Sequence, residues 1–247
     1  MINEIAARGF GSAAEVYERG RPGYAPEAVR WLCGRFGIRP GRVVLDLAAG
    51  TGKLTRDLVP SGARVIAVEP LDEMRLQLVH AVPEAEALSG TAEALPLADA
   101  SVDSVVCAQA FHWFDPDRAL PEIHRVLRPG GGLGLLWNTR DLSDPLQAQI
   151  DEILQPFHVK SARYWHGTDD SVQSSPLFSD VEHRTWPFEQ CLTLDGLLDV
   201  VASRSYVASL DEDARRGLLA RVCEVAAHLP EPIVLPYVLD VYVADRS

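Results

Sequence analysis

VVLDLAAGTGKLT, residues Val43–Thr55, begins as an apolar run and breaks at Asp46 into the small residues Ala48-Ala49-Gly50-Thr51-Gly52. An apolar run of this kind is how a strand buried on both faces of a parallel sheet reads. Lys53–Leu58 continues as a short helix. Strand, small-residue turn and helix together form the start of a nucleotide-binding βαβ unit. Small residues let a ligand approach the backbone, and the following helix offers free N–H groups to an anion. A P-loop is excluded, because Leu47 stands where its first glycine belongs and Leu54 where its hydroxyl belongs. A dinucleotide fingerprint lacks its third glycine, since Thr55 occupies that position.

What remains is Asp-x-small-x-Gly-x-Gly, spelled by Asp46, Ala48, Gly50 and Gly52. The next apolar run, Arg64–Val68, ends on Glu69, an acid placed to accept both hydroxyls of a ribose. This pair of features resembles the first motifs of the class I S-adenosylmethionine-dependent methyltransferases, which usually carry Gly where this chain has Ala48. The resemblance extends over roughly residues 17–138 and is of the methyltransferase type 11 kind. Arg21-Pro22-Gly23-Tyr24 resembles a small-molecule subgroup that includes trans-aconitate-methyltransferase-like proteins. It implies an N-terminal lid over residues 1–25, with Tyr17 and Arg21 on the cofactor and Tyr24 towards substrate; a solvated arm is the other reading.

Taken in order, the chain predicts a helix from Pro26 to about Phe36, with proline in its first turn. Pro70-Leu71-Asp72 opens a helix to about His80, and Ala85–Leu88 reads as strand three. In the family, Met74 lies near the ribose or adenine; core packing is the alternative. Thr91–Pro96 resembles the loop around the adenine, which implicates Ala92 and Glu93. Strand four, Ser104–Gln109, ends in Ala110-Phe111-His112-Trp113-Phe114. Ligands of open α/β sheets bind outside the carboxyl ends of strands. Asp46, Glu69, Ala92 and Gln109–His112 all occupy such ends, so four segments converge on one crevice. Ala119–Leu127 is expected as a helix, Leu133–Trp137 as strand five, and Pro145–His158 as a helix within an inserted segment, 142–180. Val181–Phe188 and Ile233–Ala244 complete the sheet, with helices over Asp195–Ser205 and Asp211–Leu229 between them. The helical segment 195–230 and the insertion are expected to flank the substrate pocket. The fold class is therefore α/β: a Rossmann-like, seven-stranded, mostly parallel sheet with helices on both faces and an antiparallel last strand.

At 247 residues and 27.0 kDa the chain suits one domain. Its net charge of −12 and pI near 5.0 argue against a nucleic-acid partner, whose binding rests on neutralising phosphates. Cys33, Cys107, Cys191 and Cys223 lack any C-x-x-C spacing, which fits neither a disulfide framework nor a zinc site. No apolar run reaches membrane-spanning length. A soluble cytoplasmic monomer or homodimer, without metal, is expected.

The resemblance implies S-adenosyl-L-methionine as cofactor, with S-adenosyl-L-homocysteine as product. Tyr17, Arg21, Asp46, Ala48, Gly50, Gly52, Glu69, Pro70, Met74, Ala92, Glu93, Gln109, Ala110 and His112 are the candidate cofactor residues. Methyl transfer asks the protein mainly for proximity and orientation, and for a base only when the nucleophile carries a proton. His112 is the candidate base, with a structural role or contact to the cofactor carboxylate as alternatives. Tyr24, Trp113, Asn138, Arg140 and Arg204 are the candidate substrate contacts. Arg21, Arg140 and Arg204 gathered at one pocket mouth would select a carboxylate-bearing small molecule; a phenol using His112 is the competing acceptor. A non-catalytic cofactor-binding regulator and a nicotinamide-dependent oxidoreductase are the rival functions.

Overall fold

The computed structural model describes residues 18–157 and 170–247. Its seven strands are β1 (Val43–Leu47), β2 (Arg64–Val68), β3 (Glu86–Leu88), β4 (Val102–Ala108), β5 (Leu127–Arg140), β6 (Glu182–Leu192) and β7 (Ile233–Asp245). They form one sheet in the order β3-β2-β1-β4-β5-β7-β6. Pairings from β3 to β5 are parallel, whereas β7 runs antiparallel to both β5 and β6. The expected fold class is the observed one. The order reverses between β1 and β4, so a crevice opens at their carboxyl ends.

Helices cover both faces because the strand residues alternate. Leu45 and Leu47 of β1 pack in a cluster with Leu120, Ile123 and Val126 of α4 (Pro116–Val126). Val44 packs on the other face with Ala28, Val29 and Leu32 of α1 (Pro26–Phe36) and with Leu54 and Leu58 of α2 (Lys53–Leu58). α3 (Asp72–Ala81) follows β2 and buries Met74 and Leu78. A third cluster joins α5 (Pro145–Leu154), α7 (Leu194–Ala202), α8 (Ser205–Ala208) and α9 (Glu212–Ala226) to Ile233, Leu235 and Tyr237 of β7. α6 (Asp170–Gln173) is a single turn before β6.

Several expected elements differ in their bounds; β6, for one, runs from Glu182 to Leu192 rather than over Val181–Phe188. β5 starts at Leu127 rather than Leu133, because Leu127 pairs with Val102 across a register shift. The helix expected from Pro145 is α-helical to Leu154 and 3₁₀ over Gln155–Phe157, and His158 lies outside the described residues. The helix expected over Asp195–Ser205 is two helices, α7 and α8. Between them Arg204 is extended, at φ −70° and ψ 131°, so its side chain belongs to a break rather than to a packed helix face. Among the described residues no helix is long and apolar enough to cross a membrane.

Asp103, at the amino end of the sheet, accepts bonds from Arg42 (2.8 Å), Arg128 (2.7 Å) and the Val43 N–H (2.8 Å). This cluster ties β1, β4 and the turn into β5 at the edge opposite the crevice. Its work is structural.

Candidate active site

The crevice is built around the turn after β1. Ala49 N–H bonds Val68 O at 3.1 Å, which pins the turn to the tip of β2. Gly50 N–H donates to Glu69 Oε2 and Leu71 N–H to Glu69 Oε1, both at 2.9 Å. Glu69, 5% exposed, thus locks two turns together at the strand tips. Burial pushes its carboxyl above the usual range, opposed by these backbone donors. Asp46, 1% exposed, accepts a 2.6 Å bond from the Thr55 hydroxyl of α2. Burial raises its pKa to about 7, against the Thr55 bond and with the help of the Glu69 charge.

Two glycines of the turn serve different ends. Gly50 has φ +59°, and a Cβ built there meets nothing within 4 Å, so it would project into open space in the crevice. Gly52 has φ +87°, and a Cβ would lie 3.1 Å from Leu78 and 3.2 Å from Val82, so it permits α3 to pack closely. Ala48 also sits in the left-handed region, at φ 56°. That conformation costs an L-residue roughly 1–2 kcal/mol, a physical reason for glycine at this position in the pattern. Ala48→Gly should therefore raise stability by about 0.5–1 kcal/mol in urea denaturation. A lower midpoint would mean that the packing of the Ala48 methyl against the core outweighs the strain.

Beyond the turn, one cleft is lined by Arg21, Tyr24, Asp46, Ala48, Gly50, Gln109, Asn138, Arg140 and Arg204, all expected from sequence. Thr51, Lys53, Val200 and Tyr237 also line it and were not anticipated. Gln109 follows β4 at φ 60°, and its buried Nε2 has no acceptor among the described residues. Asn138 donates to Gly23 O at 2.9 Å. Arg140 Nη2 lies 2.7 Å from Asp151 of α5, while Arg140 Nη1 is buried without an acceptor among the described residues. Arg204 Nη1 bonds the Tyr206 hydroxyl at 3.3 Å, and its buried Nε likewise has no acceptor among the described residues. Arg21 Nη2 donates to Ser203 O at 3.2 Å. The three arginines expected at the pocket mouth are thus brought together.

Residues 18–24 bridge the two sides of this cleft. The Glu18 carboxylate accepts bonds from Thr51 (2.5 Å) and Arg56 (2.8 Å), and its carbonyl accepts from Lys53 (2.6 Å). On the far side Arg19 pairs with Asp199 of α7 at 2.8 Å, and Gln190 of β6 donates to Gly20 O at 3.0 Å. Tyr17 lies outside the described residues, as does the rest of the lid expected before it.

Other candidates are not among the residues that line this cleft. Met74 and Ala92 are buried, and Pro70 is half-buried beside Glu69. The Glu93 carboxylate accepts from Asp115 N–H at 3.1 Å, which gives it a structural partner. Ala110 is buried, and His112 and Trp113 lie in a 3₁₀ turn with ring centroids 4.6 Å apart. Burial, with the nearby Arg21 charge second, lowers the His112 pKa to about 4. The sequence suggests a near-neutral base here. Its surroundings instead make it a neutral, weak proton acceptor at pH 7.

Comparison with known proteins agrees with this architecture. The methyltransferase domain family matches residues 45–135. An uncharacterised methyltransferase of Mycobacterium bovis is 45% identical over 234 residues, covering 93% of this chain and 92% of its own. A structure described as a type II methyltransferase, from Anaeromyxobacter dehalogenans, has a TM-score of 0.62 at 26% identity, covering 92% of this chain and 97% of that one. An N-methyltransferase of Haemonchus contortus, solved with S-adenosylhomocysteine, shares the fold at a TM-score of 0.59 and 15% identity, covering 98% and 59% of the two chains. The chain belongs to the class I S-adenosylmethionine-dependent methyltransferases.

Proposed function

We propose that this protein methylates a small, carboxylate-bearing molecule with S-adenosylmethionine as donor. The crevice fits that cofactor: the turn at Gly50 opens on free space, Glu69 directly follows β2, and Gln109 Nε2 is a buried donor without an acceptor among the described residues. In this reading Glu69 accepts the ribose hydroxyls, and Asp46, Ala48, Gly50 and Gln109 border the methionine moiety. Pro70 and Met74 flank the ribose, and Ala92 and Glu93 lie on the adenine side. When bound, the cofactor supplies a methyl group already activated on a sulfonium sulfur. The chain's own residues then have to hold the acceptor in line and keep water out.

The observation that carries the substrate class is a pair of buried guanidinium donors, Arg140 Nη1 and Arg204 Nε, on two residues that line one cleft and with no acceptor among the described residues. A buried donor left unmade costs about 1–3 kcal/mol. An incoming carboxylate relieves that cost by planar two-point contact. A carboxylate is ionised at neutral pH, so no proton has to be removed, and the low basicity of His112 is no obstacle.

Arg204→Met is the cleaner test, because Arg204 has no acidic partner among the described residues, whereas removing Arg140 also strands Asp151. We expect kcat/KM for an acidic acceptor, found by product mass spectrometry on a carboxylic-acid panel, to fall about ten- to a hundred-fold. Unchanged kcat/KM in Arg204→Met, or turnover of phenols that His112→Ala alone abolishes, would overturn the acidic reading.

A further inference from the structure

We propose that Tyr237 is a substrate-contacting, specificity-determining residue whose phenol O–H donates to the acidic acceptor held between Arg140 and Arg204. This rests on the carboxylate reading above and adds a residue to it.

Tyr237 lies on β7 directly opposite Arg140 of β5 in the antiparallel register. Residues opposed in this way share a face of the sheet, so both side chains project to the same side. Tyr237 lines the cleft with Arg21, Arg140 and Arg204, yet is only 4% exposed. Its ring stacks on Phe188 of β6, centroids 5.5 Å apart and planes at 21°, which fixes the direction of the hydroxyl. It belongs to the cluster formed with α5, α7 and α9, where that layer meets the main sheet.

Position separates Tyr237 from the cofactor. β7 is three strands from β1 in the sheet, about 14 Å at the usual strand spacing. The glycine turn is on the far side of the crevice, and Tyr237 is on the side of the arginines. Burial raises the phenol's pKa, and the pull of Arg204, Arg21 and Arg140 does not reverse this. The hydroxyl therefore keeps its proton and serves as a donor rather than a base. Gln147 of α5 packs nearby and donates its Nε2 to Pro236 O at 2.9 Å. Two guanidiniums bind any anion, but a fixed third donor lining the same cleft adds a constraint of shape.

The test compares wild type, Tyr237→Phe and Arg204→Met on a panel of small mono-, di- and tricarboxylic acids with S-adenosylmethionine, alongside calorimetric titration with S-adenosylhomocysteine. Phenylalanine keeps the stack on Phe188 and removes only the hydroxyl. On an acid that wild type methylates, Tyr237→Phe should raise KM about ten-fold and change kcat less, the size expected of one hydrogen bond to a charged group. Its affinity for S-adenosylhomocysteine should stay within about two-fold of wild type, which also shows that it is folded. If KM is unchanged in Tyr237→Phe but rises in Arg204→Met, the Tyr237 assignment falls and the acidic reading stands. If Tyr237→Phe loses S-adenosylhomocysteine affinity, Tyr237 serves the cofactor and the assignment is wrong. If wild type methylates no acid on the panel, the acidic reading fails and the assignment fails with it.

Discussion

Glu69→Ala is expected to lower the affinity for S-adenosylhomocysteine at least ten-fold in calorimetry, while the protein stays folded. Two effects add. The ribose hydroxyls lose a charged acceptor, worth about 1.5–3 kcal/mol. The Gly50 and Leu71 N–H groups also lose theirs, so the turn that receives the methionine moiety is no longer tied to β2. That second loss should cost about 2 kcal/mol of stability in chemical denaturation. Glu69→Gln separates the two, since its amide oxygen can still take one of the backbone bonds. Affinity unchanged in a folded Glu69→Ala protein would remove the ribose assignment.

Gly50→Val should abolish cofactor binding, an effect of a hundred-fold or more. A β-branched residue at φ +59° is strained by roughly 1–2 kcal/mol or more. Its side chain also projects into the space that the cofactor needs, where a Cβ has no protein neighbour within 4 Å. Because nothing in the protein occupies that space, the variant should fold, with a circular dichroism spectrum like wild type. Gly50→Ala tests the same direction more gently and should weaken binding less. Normal binding by Gly50→Val would place the cofactor elsewhere.

Local features of the sequence carried the fold. The run Val43–Leu47 is buried on both faces, as a central parallel strand must be, and it reads that way without any long-range information. Glu69 and Gln109 were legible because strand ends are legible, and this fold places ligands there. The arginine cluster was legible only as a possibility of topology. What brings it together is distant in sequence: the antiparallel return of β7, the break between α7 and α8 at Arg204, and the bridge made by residues 18–24.

Tyr237 gave no signal, because it sits in an alternating strand where an aromatic residue is ordinary. Only its pairing with Arg140 singles it out. Glu18 and Lys53 were missed for a similar reason, since their partners are 33 to 38 residues apart along the chain. His112 was legible as a position, but its basicity was not. Burial and the charge of Arg21 decide that, and both come from tertiary structure.

In the proposed function the crevice at Asp46, Gly50 and Glu69 receives the S-adenosyl cofactor. Calorimetric titration of the wild-type protein with S-adenosylhomocysteine, and separately with NAD and NADP, tests it most directly. One saturable site per chain is expected for S-adenosylhomocysteine, and no binding of either nicotinamide dinucleotide. Saturable binding of NAD or NADP, or no binding of S-adenosylhomocysteine by the folded protein, would contradict it.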